Sequence, residues 1–493
     1  MGKPVIRSIP FETETPKPVT GCTSIVLRHV YSFALERGVM PFGDRLSGGN
    51  FMQWLSRYRR EQWLSADEMR VLTRRRLSTM LQFARSSVPF HAGVPAALRD
   101  PLDDLRQFPV VTKSDIKANL TELITRPKET LVAESGSGSS GIQGTVYMDK
   151  SGQASQRAMQ MLWFEWSGYR MGDSILQTGI TPERGWVKGT KDILLNTKYI
   201  SAFDLDERQI ADVLRSLHRR PRRYLFGYAS SLDVLARTAL DLGIDDVRFD
   251  HAVSWGDKLF PHYRESIRNA FGCEVLDTYG CTEGAMIAAQ CGEGNYHMSV
   301  NQCYVEIVDD DGAPLPDGEI GNVVATRLDN FAMPLIRYKL GDIAAIEPDQ
   351  GSVCGCGRQT PLLNGLIGRD TDVVVTGSGK KMIVHFFTGI FEHIPEIRQF
   401  KVVQRNSDQV EIQFIPDAGF DDSVLENIER QINDRLKERL PIKWNRVEKI
   451  PPSGSGKPQI VESYLAKGST GSFVHRESPA VADRAASAKS ELF

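Results

Sequence analysis

Seven consecutive small residues, 135–141, form the stretch of this chain best suited to hold a chain of phosphates. Glycines leave the backbone free to bend, and backbone N–H groups and serine hydroxyls can donate to anionic oxygens. Runs of Ser and Gly also serve as flexible linkers, so that alternative stays open for the run alone. The candidate phosphate-binding residues are Ser137, Gly138, Ser139, Ser140 and Gly141.

The residues after this run exclude two other phosphate loops. Gly136, Gly138 and Gly141 satisfy the dinucleotide pattern Gly-x-Gly-x-x-Gly, but that pattern must open directly into a helix. Residues 145–148 are β-branched and aromatic instead, which predicts a strand, followed by a turn at 150–152 and a helix from about Gln153 to Trp166. The chain also lacks Gly-x-x-x-x-Gly-Lys-Ser/Thr, so we reject both the Rossmann and the Walker loop.

The elements that must position such a loop belong to a large chain with more than one domain. Its 493 residues are 41% hydrophobic and 25% charged, which suffices for a sizeable core. Helices alternate with short apolar strands over about 192–308, which predicts an α/β core, and strands joined by glycine turns over 304–346 predict a β-rich part. The predicted segments are a mobile N-terminal segment 1–20, a large domain 21–368, a small α+β domain 369–467 and a flexible tail 468–493.

Charge and composition favour a soluble cytoplasmic protein that binds neither nucleic acid nor membrane. The net charge of −2 gives no general attraction to polyanions, and the basic run 218–223 ends an amphipathic helix, where cations suit the helix dipole. The sequence shows no signal region, and no apolar stretch approaches the roughly 18 residues of a membrane span. The odd count of 7 cysteines argues against a disulfide framework.

Four further motifs follow the Ser/Gly run in a fixed order: 279–284 (Tyr-Gly-Cys-Thr-Glu-Gly), 337–342 (Arg-Tyr-Lys-Leu-Gly-Asp), 368–372 (Gly-Arg-Asp-Thr-Asp) and 453–457 (Ser-Gly-Ser-Gly-Lys). Each is weak alone. As an ordered set over most of residues 50–465, they resemble the adenylate-forming, acyl-activating superfamily, and more narrowly its phenylacetate-CoA ligase and CapK-like branch. The resemblance implies a large N-terminal domain of α/β and β-rich subdomains with a small mobile α+β C-terminal lid.

The resemblance also implies roles for individual residues on the nucleotide side. The run 137–141 would hold the β- and γ-phosphates of ATP, and Tyr279 would offer its flat face to adenine. Thr282 would donate its hydroxyl to the α-phosphate, and Glu283 would supply a hard oxygen ligand to Mg²⁺.

Three further residues follow from the same resemblance. Asp342 would accept the ribose hydroxyls, and Arg369 would join it at the domain boundary. Lys457 would bridge the acyl carboxylate and the α-phosphate during adenylation and leave when the small domain rotates. The predicted catalytic residues are Lys457, Thr282, Glu283 and Arg369.

Two positions depart from the family pattern. Ile142-Gln143 stands where the family loop often continues Lys-Pro, so one positive charge near the phosphates is missing and Lys457 or another group must compensate. Thr371-Asp372 stands where many relatives carry two aspartates, which bears on domain rotation and on the thioester-forming step.

A second constellation of residues suits a metal ion. Cys291, His297, Cys354 and Cys356 offer three thiolates and an imidazole, a set typical of tetrahedral structural Zn²⁺. Four free side chains remain the alternative, because Cys-x-Cys is less diagnostic than Cys-x-x-Cys. The remaining cysteines are interpreted as small buried apolar residues: Cys22, Cys273, Cys281 and Cys303.

The sequence identifies the residues of the acyl pocket less directly than those of the nucleotide site. Tyr228 and Trp255 are candidates to contact the acid, because the segment around Tyr228 lies where relatives bind theirs. Further aromatic residues could line an aromatic-acid pocket but at such spacing are more often core: Trp163, Phe164, Trp166 and Phe226.

The resulting functional hypothesis is an acid–thiol ligase of the AMP-forming type. It would use ATP and Mg²⁺ to adenylate a small carboxylic acid, expected to be aromatic, and transfer the acyl group to coenzyme A. One alternative keeps the adenylation and changes the acceptor to an amine, a carrier-protein thiol or another nucleophile. A second is a non-catalytic nucleotide- and zinc-binding relative. The oligomeric state stays open, with a homodimer as one option because relatives often form dimers.

Overall fold

The protein is described by a computed structural model, in which the described residues are 22–135, 145–179, 185–201, 207–281, 283–309, 311–348, 353–367, 374–378, 380–382, 384–391, 393–417, 419–450, 460–463, 465–467 and 473–475. Several predicted site residues lie outside these ranges: Ser137, Gly138, Ser139, Ser140, Gly141, Thr282, Arg369 and Lys457. The segment 1–20, most of the segment 468–493, Ile142-Gln143 and Thr371-Asp372 lie outside them as well.

Helices are concentrated in the first half of the chain. The α-helices of the described residues are α1 Cys22–Ala34, α2 Met40–Ser47, α3 Phe51–Glu61, α4 Ala66–Ser87, α5 Pro101–Leu105, α6 Lys113–Ala118, α7 Leu120–Leu123, α8 Lys150–Trp166, α9 Trp186–Leu194, α10 Glu207–Arg219, α11 Ala229–Asp241, α12 Pro261–Phe271, α13 Val384–Phe391 and α14 Ser423–Leu436. A π-helix, Leu35–Val39, joins α1 to α2, and the short 3₁₀ helices are Pro89–His91 and Lys128–Thr130. Within the part of the chain that the structure describes, none of these helices combines the length and apolar composition needed to cross a bilayer.

Strands dominate from the middle of the chain onward. They are β1 Val132–Ser135, β2 Thr145–Met148, β3 Ile175–Gly179, β4 Thr197–Ser201, β5 Tyr224–Tyr228, β6 His251–Trp255, β7 Glu274–Gly280, β8 Met286–Gln290, β9 Tyr296–Met298, β10 Cys303–Val308, β11 Gly321–Arg327, β12 Tyr338–Ile346, β13 Leu362–Ile367, β14 Val374–Val375, β15 Lys381–Met382, β16 Ile397–Gln404, β17 Val410–Pro416, β18 Ile442–Arg446, β19 Val461–Ser463, β20 Leu465–Lys467 and β21 Phe473–His475.

One sheet of 11 strands organises the large domain, in the order β10-β11-β12-β13-β9-β8-β7-β6-β5-β3-β4. Its strands β4, β3, β5, β6 and β7 are parallel, with α10, α11 and α12 as the crossovers from β4 to β7. These helices cover the parallel strands with apolar residues such as Leu214, Leu235 and Ile267, packed with Leu225 of β5. The predicted α/β fold is therefore confirmed, and β5 reads as an unbroken apolar run because both its faces are covered.

The other half of the same sheet is antiparallel, from β7 through β8, β9, β13, β12 and β11 to β10. This is the β-rich part that glycine-containing turns predict. The turn between β10 and β11 contains Gly312 at φ +85° and Gly318 at φ +93°, a backbone region that favours glycine.

The small C-terminal unit has its own sheet and core. Four strands run in the order β18-β17-β16-β19, with β16 and β17 antiparallel and the outer two pairs parallel. Helices α13 and α14 share one apolar core with this sheet, built from residues such as Phe387, Val402, Ile412 and Ile432. An α+β unit is thus present after residue 374, while the boundary at 368/369 stays a prediction.

Two helix limits differ from the sequence-based expectation. Helix α8 begins at Lys150 and not near Gln153, because the Asp149 carboxylate accepts the N–H of Gly152 at 2.8 Å and caps the first turn. The sequence pattern predicts a second helix from about Asp422 to Leu440, but this helix, α14, ends at Leu436, because Lys437 takes φ +53° and stops it. Residues 145–148 form β2, as predicted.

Candidate functional site

Three candidate residues lie at the carboxyl ends of adjacent parallel strands. Tyr228 ends β5, Trp255 ends β6, and Tyr279 lies at the end of β7. Ligands of open α/β sheets bind outside this edge. Tyr228 and Trp255 are register partners, with ring centroids 6.4 Å apart and planes at 66°. Both stay partly exposed, so an apolar planar group could contact them.

The other aromatic residues considered for a pocket are largely core. Trp163 is 2% exposed and Phe226 is fully buried, so the core interpretation holds for both. Phe164 packs its ring against Phe226 at 4.6 Å and is only partly exposed. Trp166 donates its indole N–H to Gln62 and belongs to the interface with α3.

The two residues assigned to the nucleoside are in direct contact. The Tyr279 hydroxyl donates to Oδ2 of Asp342 at 2.9 Å, across a separation of 63 residues. Three strands lie between β7 and β12 in the sheet order, so the antiparallel half of the sheet curls back to bring them together. The structure thus joins the motif 279–284 to the motif 337–342.

Glu283 lies buried beside the same two motifs. Its Oε1 accepts a hydrogen bond from the Tyr338 hydroxyl at 2.7 Å, and Nζ of Lys113 lies 3.4 Å from the same oxygen. Burial alone would raise the pKa of this carboxyl, but the Lys113 charge and the Tyr338 hydroxyl outweigh it and lower the pKa to about 2. Glu283 is therefore an ionised carboxylate at neutral pH, as a hard oxygen ligand for a cation must be.

Lys113 is a site residue that the sequence analysis missed. It is the first residue of α6, whose capping box pairs Thr112 with Asp115. Val111 holds this segment beside β12 by accepting from the backbone N–H of Lys339 at 2.9 Å. In the sequence, Lys113 looks like any solvated lysine after an N-cap, so no local signal distinguishes it. Its ammonium supplies a cation beside the Glu283 carboxylate.

Two predicted site segments, the run 136–144 and the segment with Lys457, lie outside the described residues, but the strands next to them are described. Strands β1 and β2 pair antiparallel with Ser135 opposite Thr145, so the run 136–144 connects the two strands of a hairpin. This excludes a direct strand-to-helix dinucleotide loop. Strand β19 begins four residues after Lys457 and pairs with β16, so the chain following that lysine belongs to the sheet of the small unit.

The predicted metal ligands converge at the far end of the antiparallel strands. The ligand atoms of Cys291, His297, Cys354 and Cys356 lie within 4.8 Å of one another. The Cys291 and Cys354 sulfurs are 3.8 Å apart, and the Cys356 sulfur is 3.2 Å from Nε2 of His297. Tetrahedral Zn²⁺ with Zn–S bonds of about 2.3 Å spaces its sulfurs by about 3.8 Å, so the cluster fits this ion.

Outer contacts orient these ligands. Nδ1 of His297 lies 3.1 Å from the Thr360 hydroxyl, and donation from Nδ1 would leave Nε2 free to bind a metal. The Asn295 amide donates to the Cys354 sulfur at 3.3 Å. Arg358 follows the ligand loop and stacks on Trp166 at 4.0 Å and on Trp63 at 4.9 Å, which fastens the loop to the N-terminal helices.

The other cysteines follow the expectation with one exception. Cys273 and Cys303 are buried, and burial raises the pKa of both thiols to about 12. Cys281 is only partly buried, which corrects its assignment as a core residue. It stands two residues before Glu283, in the turn that the site uses. The side chain of Cys22 lies outside the described part of the structure.

Comparisons with known proteins identify relatives of both parts of the chain. A family model for AMP-binding enzymes matches residues 197–331, and a model for the CapK C-terminal domain matches residues 374–463. Protein CapK of Staphylococcus aureus is 23% identical over 72% of this chain and 80% of its own length. A phenylacetate-coenzyme A ligase of Thermus thermophilus is 24% identical over 63% of this chain and 73% of its own length.

Solved structures share the fold. A crystal structure of 2-hydroxyisobutyryl-CoA ligase, in complex with 2-HIB-AMP and CoA in the thioesterification state, has a TM-score of 0.56 at 18% identity. It covers 82% of this chain and 92% of the ligase chain. Both family matches and the named relatives support an adenylate-forming, acyl-activating superfamily and, within it, the branch of the phenylacetate-CoA ligases and CapK.

Proposed function

We propose that this chain is an AMP-forming acid–CoA ligase that activates a small aromatic carboxylic acid. The observation that carries the proposal is the hydrogen bond between Tyr279 and Asp342, with ionised Glu283 four residues along the same turn. These side chains come from two distant motifs and meet at the ligand-binding edge of the sheet.

The proposed reaction has two steps. A carboxylate oxygen of the acid attacks the α-phosphate of ATP, and pyrophosphate leaves with its electron pair. The sulfur of CoA then attacks the acyl carbon, AMP leaves, and the thiol proton passes to solvent. Because the first step spreads negative charge over phosphate oxygens, fixed positive groups and donors are what it needs.

Each residue of the site has a place in the first step. Asp342 would accept the ribose hydroxyls, and Tyr279 would place its ring against adenine. The oxygens of Glu283 would hold Mg²⁺, which supplies charge neutralisation at the phosphates when bound. Thr282, Arg369, Lys457 and the run 137–141 remain proposed contacts on the ground of motif order.

The aromatic character of the acid is proposed from two side chains and from the named relatives. Tyr228 and Trp255 support it, because two partly exposed rings 6.4 Å apart offer planar apolar surface next to the strand of Tyr279. Named relatives are phenylacetate-CoA ligases, which is consistent with a ring on the acid.

Product analysis tests the acceptor. The protein is incubated with ATP, Mg²⁺, CoA and a panel of aromatic and aliphatic acids, and products are identified by mass. We expect an acyl-CoA and AMP in equal amounts, with aromatic acids preferred. AMP that accumulates without acyl-CoA, together with an amide or carrier-bound acyl product when an amine or a carrier protein is added, would contradict CoA as the acceptor.

We further propose that Cys291, His297, Cys354 and Cys356 hold one structural Zn²⁺. The ion would join the turn after β8 to the connection between β12 and β13. Since β12 carries Asp342 and β13 ends just before the predicted domain boundary, the ion would stabilise the part of the domain from which the lid departs.

Metal analysis of a ligand variant tests this site. We expect about one zinc per chain in the native protein and little in Cys356→Ser, which also should unfold at a lower temperature because metal binding contributes folding free energy. Cys273→Ala is the matched control, since Cys273 is a buried thiol outside the cluster, and its zinc content should not change. Undenatured protein prepared without chelators that contains no zinc would overturn the assignment.

Lys113 offers a test of the electrostatics around Glu283. In the native protein the lowered pKa keeps this carboxylate charged from neutral pH down to about pH 2. In Lys113→Met, burial would favour the neutral acid, so adenylation should fall about tenfold and fall further as the pH is lowered from about 8 to about 6. Lys128→Met, on an exposed turn, is the control. An unchanged rate and an unchanged pH profile of Lys113→Met would contradict a role for this lysine.

A further inference from the structure

A fully buried guanidinium lies behind the candidate site. The Arg327 side chain is 1% exposed, at the end of β11, and its Nε pairs with Oδ1 of Asp329 at 2.9 Å. Asp329 is 3% exposed. Burying two charges costs desolvation free energy that can offset their attraction. A general gain in stability is therefore a weak explanation for this pair, and a specific structural role is the better one.

The guanidinium bridges two elements that are distant in sequence. Nη1 lies 3.3 Å from the carbonyl oxygen of Glu283 and 2.9 Å from the sulfur of Met148, and Nη2 donates to the carbonyl of Gly152 at 3.2 Å. Met148 ends β2, the strand that follows the Ser/Gly run, and Gly152 lies in the first turn of α8. One side chain therefore ties the hairpin of the proposed phosphate loop to the turn that carries the proposed Mg²⁺ ligand.

The turn itself is shaped to receive this side chain. Gly284 has φ +88°, and a Cβ at this position would overlap the guanidinium of Arg327. Gln302, fully buried, donates to the Gly284 carbonyl at 3.1 Å and to Asp329 at 3.0 Å, and accepts the N–H of Met286 at 3.1 Å. Arg327 and Gln302, both bonded to Asp329, thus satisfy the carbonyls of Glu283 and Gly284 and the N–H of Met286.

We propose that Arg327 is a positioning residue for the adenylation step, which fixes the Glu283 turn against β2 and the first turn of α8 so that the Glu283 carboxylate is held in place for Mg²⁺-ATP. This inference rests on the proposed function. Arg327 does not touch the reacting atoms; it acts through the carbonyls of Glu283 and Gly152. Arginine suits this place because its planar fork reaches several acceptors at once, which a lysine ammonium on a flexible stem does not.

The test separates positioning from stability. In Arg327→Met/Asp329→Asn both charges are removed, so no unpaired charge is left buried. The control removes a similarly buried pair far along the chain, Arg85→Met/Asp104→Asn, whose charges are 2.7 Å apart with side chains 16% and 4% exposed. Arg327→Lys keeps the positive charge but loses the planar guanidinium that reaches several acceptors at once.

Calorimetric binding of Mg²⁺-ATP and steady-state adenylation are measured for each folded variant. We expect Arg327→Met/Asp329→Asn to weaken Mg²⁺-ATP binding and to raise KM for ATP by about tenfold or more, with KM for the acid within about twofold, because misplaced groups cost rate steeply. Arg327→Lys should recover part of the loss. The control Arg85→Met/Asp104→Asn should change neither Mg²⁺-ATP binding nor the KM for ATP or for the acid, even if its melting temperature falls.

Two results decide against the inference. If the wild type is active and Arg327→Met/Asp329→Asn and Arg327→Lys both bind Mg²⁺-ATP as the wild type does, Arg327 is only structural. The same holds if KM for ATP and for the acid rise together. Absence of adenylation in the wild type with every acid would instead overturn the proposed function, and with it this inference.

Discussion

Glu283→Gln should lower carboxylate-dependent ATP–pyrophosphate exchange by about a hundredfold or more, because it removes the only full negative charge proposed to bind Mg²⁺ at the phosphates. Glutamine keeps the shape and can still accept from the Tyr338 hydroxyl, which donates to Glu283 at 2.7 Å. The loss of exchange activity should therefore come from the missing negative charge and not from a change of the fold. A higher Mg²⁺ requirement should accompany the lower rate.

The control is Glu274→Gln at the start of β7, the strand that leads into the Glu283 turn. Its carboxylate pairs with Arg268 at the surface and is 52% exposed, so the rate should stay within about twofold of the wild type. If Glu283→Gln exchanges pyrophosphate at the wild-type rate with an unchanged Mg²⁺ dependence, Glu283 is not the metal ligand and its low pKa serves only the local packing.

Lys457→Ala should separate the two half-reactions. Loss of the ammonium should reduce adenylation by about a hundredfold to a thousandfold, since it removes a cation expected between the acyl carboxylate and the α-phosphate. Conversion of supplied acyl adenylate to acyl-CoA should stay near the wild-type rate, because in the proposed mechanism the lysine leaves the site when the small domain rotates. The measurement is pyrophosphate exchange beside thioester formation from the synthetic adenylate.

Lys449→Ala is the matched control for this experiment. Lys449 is an exposed lysine of the same small unit, and its loss should leave both half-reactions unchanged. An equal loss of both half-reactions in Lys457→Ala would point to general damage of the lid. Near-normal adenylation would show that another cation carries the charge, with Lys113 beside Glu283 as a described candidate.

Local patterns predicted most of the fold. The predicted alternation of helices with apolar strands from 192 to 308 is confirmed from β4 through β7, whereas residues 286–308 form the antiparallel strands β8, β9 and β10. The β-branched residues 145–148 form β2, which alone separates this hairpin loop from a dinucleotide loop. Helix limits were less predictable, because the cap at Asp149 and the positive φ of Lys437 depend on single residues.

The candidate site was predictable where the motifs carry it and not elsewhere. Tyr279, Glu283 and Asp342 were found by motif order, although their contacts cross the curl of the sheet. Lys113 and Arg327 were not predicted, because neither lies in a motif and each contacts Glu283 from an element distant in sequence. Lys113 contacts its carboxylate, and Arg327 contacts its carbonyl oxygen. Residues of this kind can be recognised only from the tertiary structure, because their contacts join elements that are distant in sequence.

The central claim is that this chain forms acyl adenylates, and pyrophosphate exchange tests it most directly. Purified protein is given ATP, Mg²⁺ and labelled pyrophosphate with single acids from a broad panel, without CoA or any other acceptor. We predict exchange that requires an acid, is strongest with an aromatic one and is lost in Glu283→Gln. Folded wild-type protein that binds Mg²⁺-ATP and shows no acid-dependent exchange with any member of the panel would contradict the account.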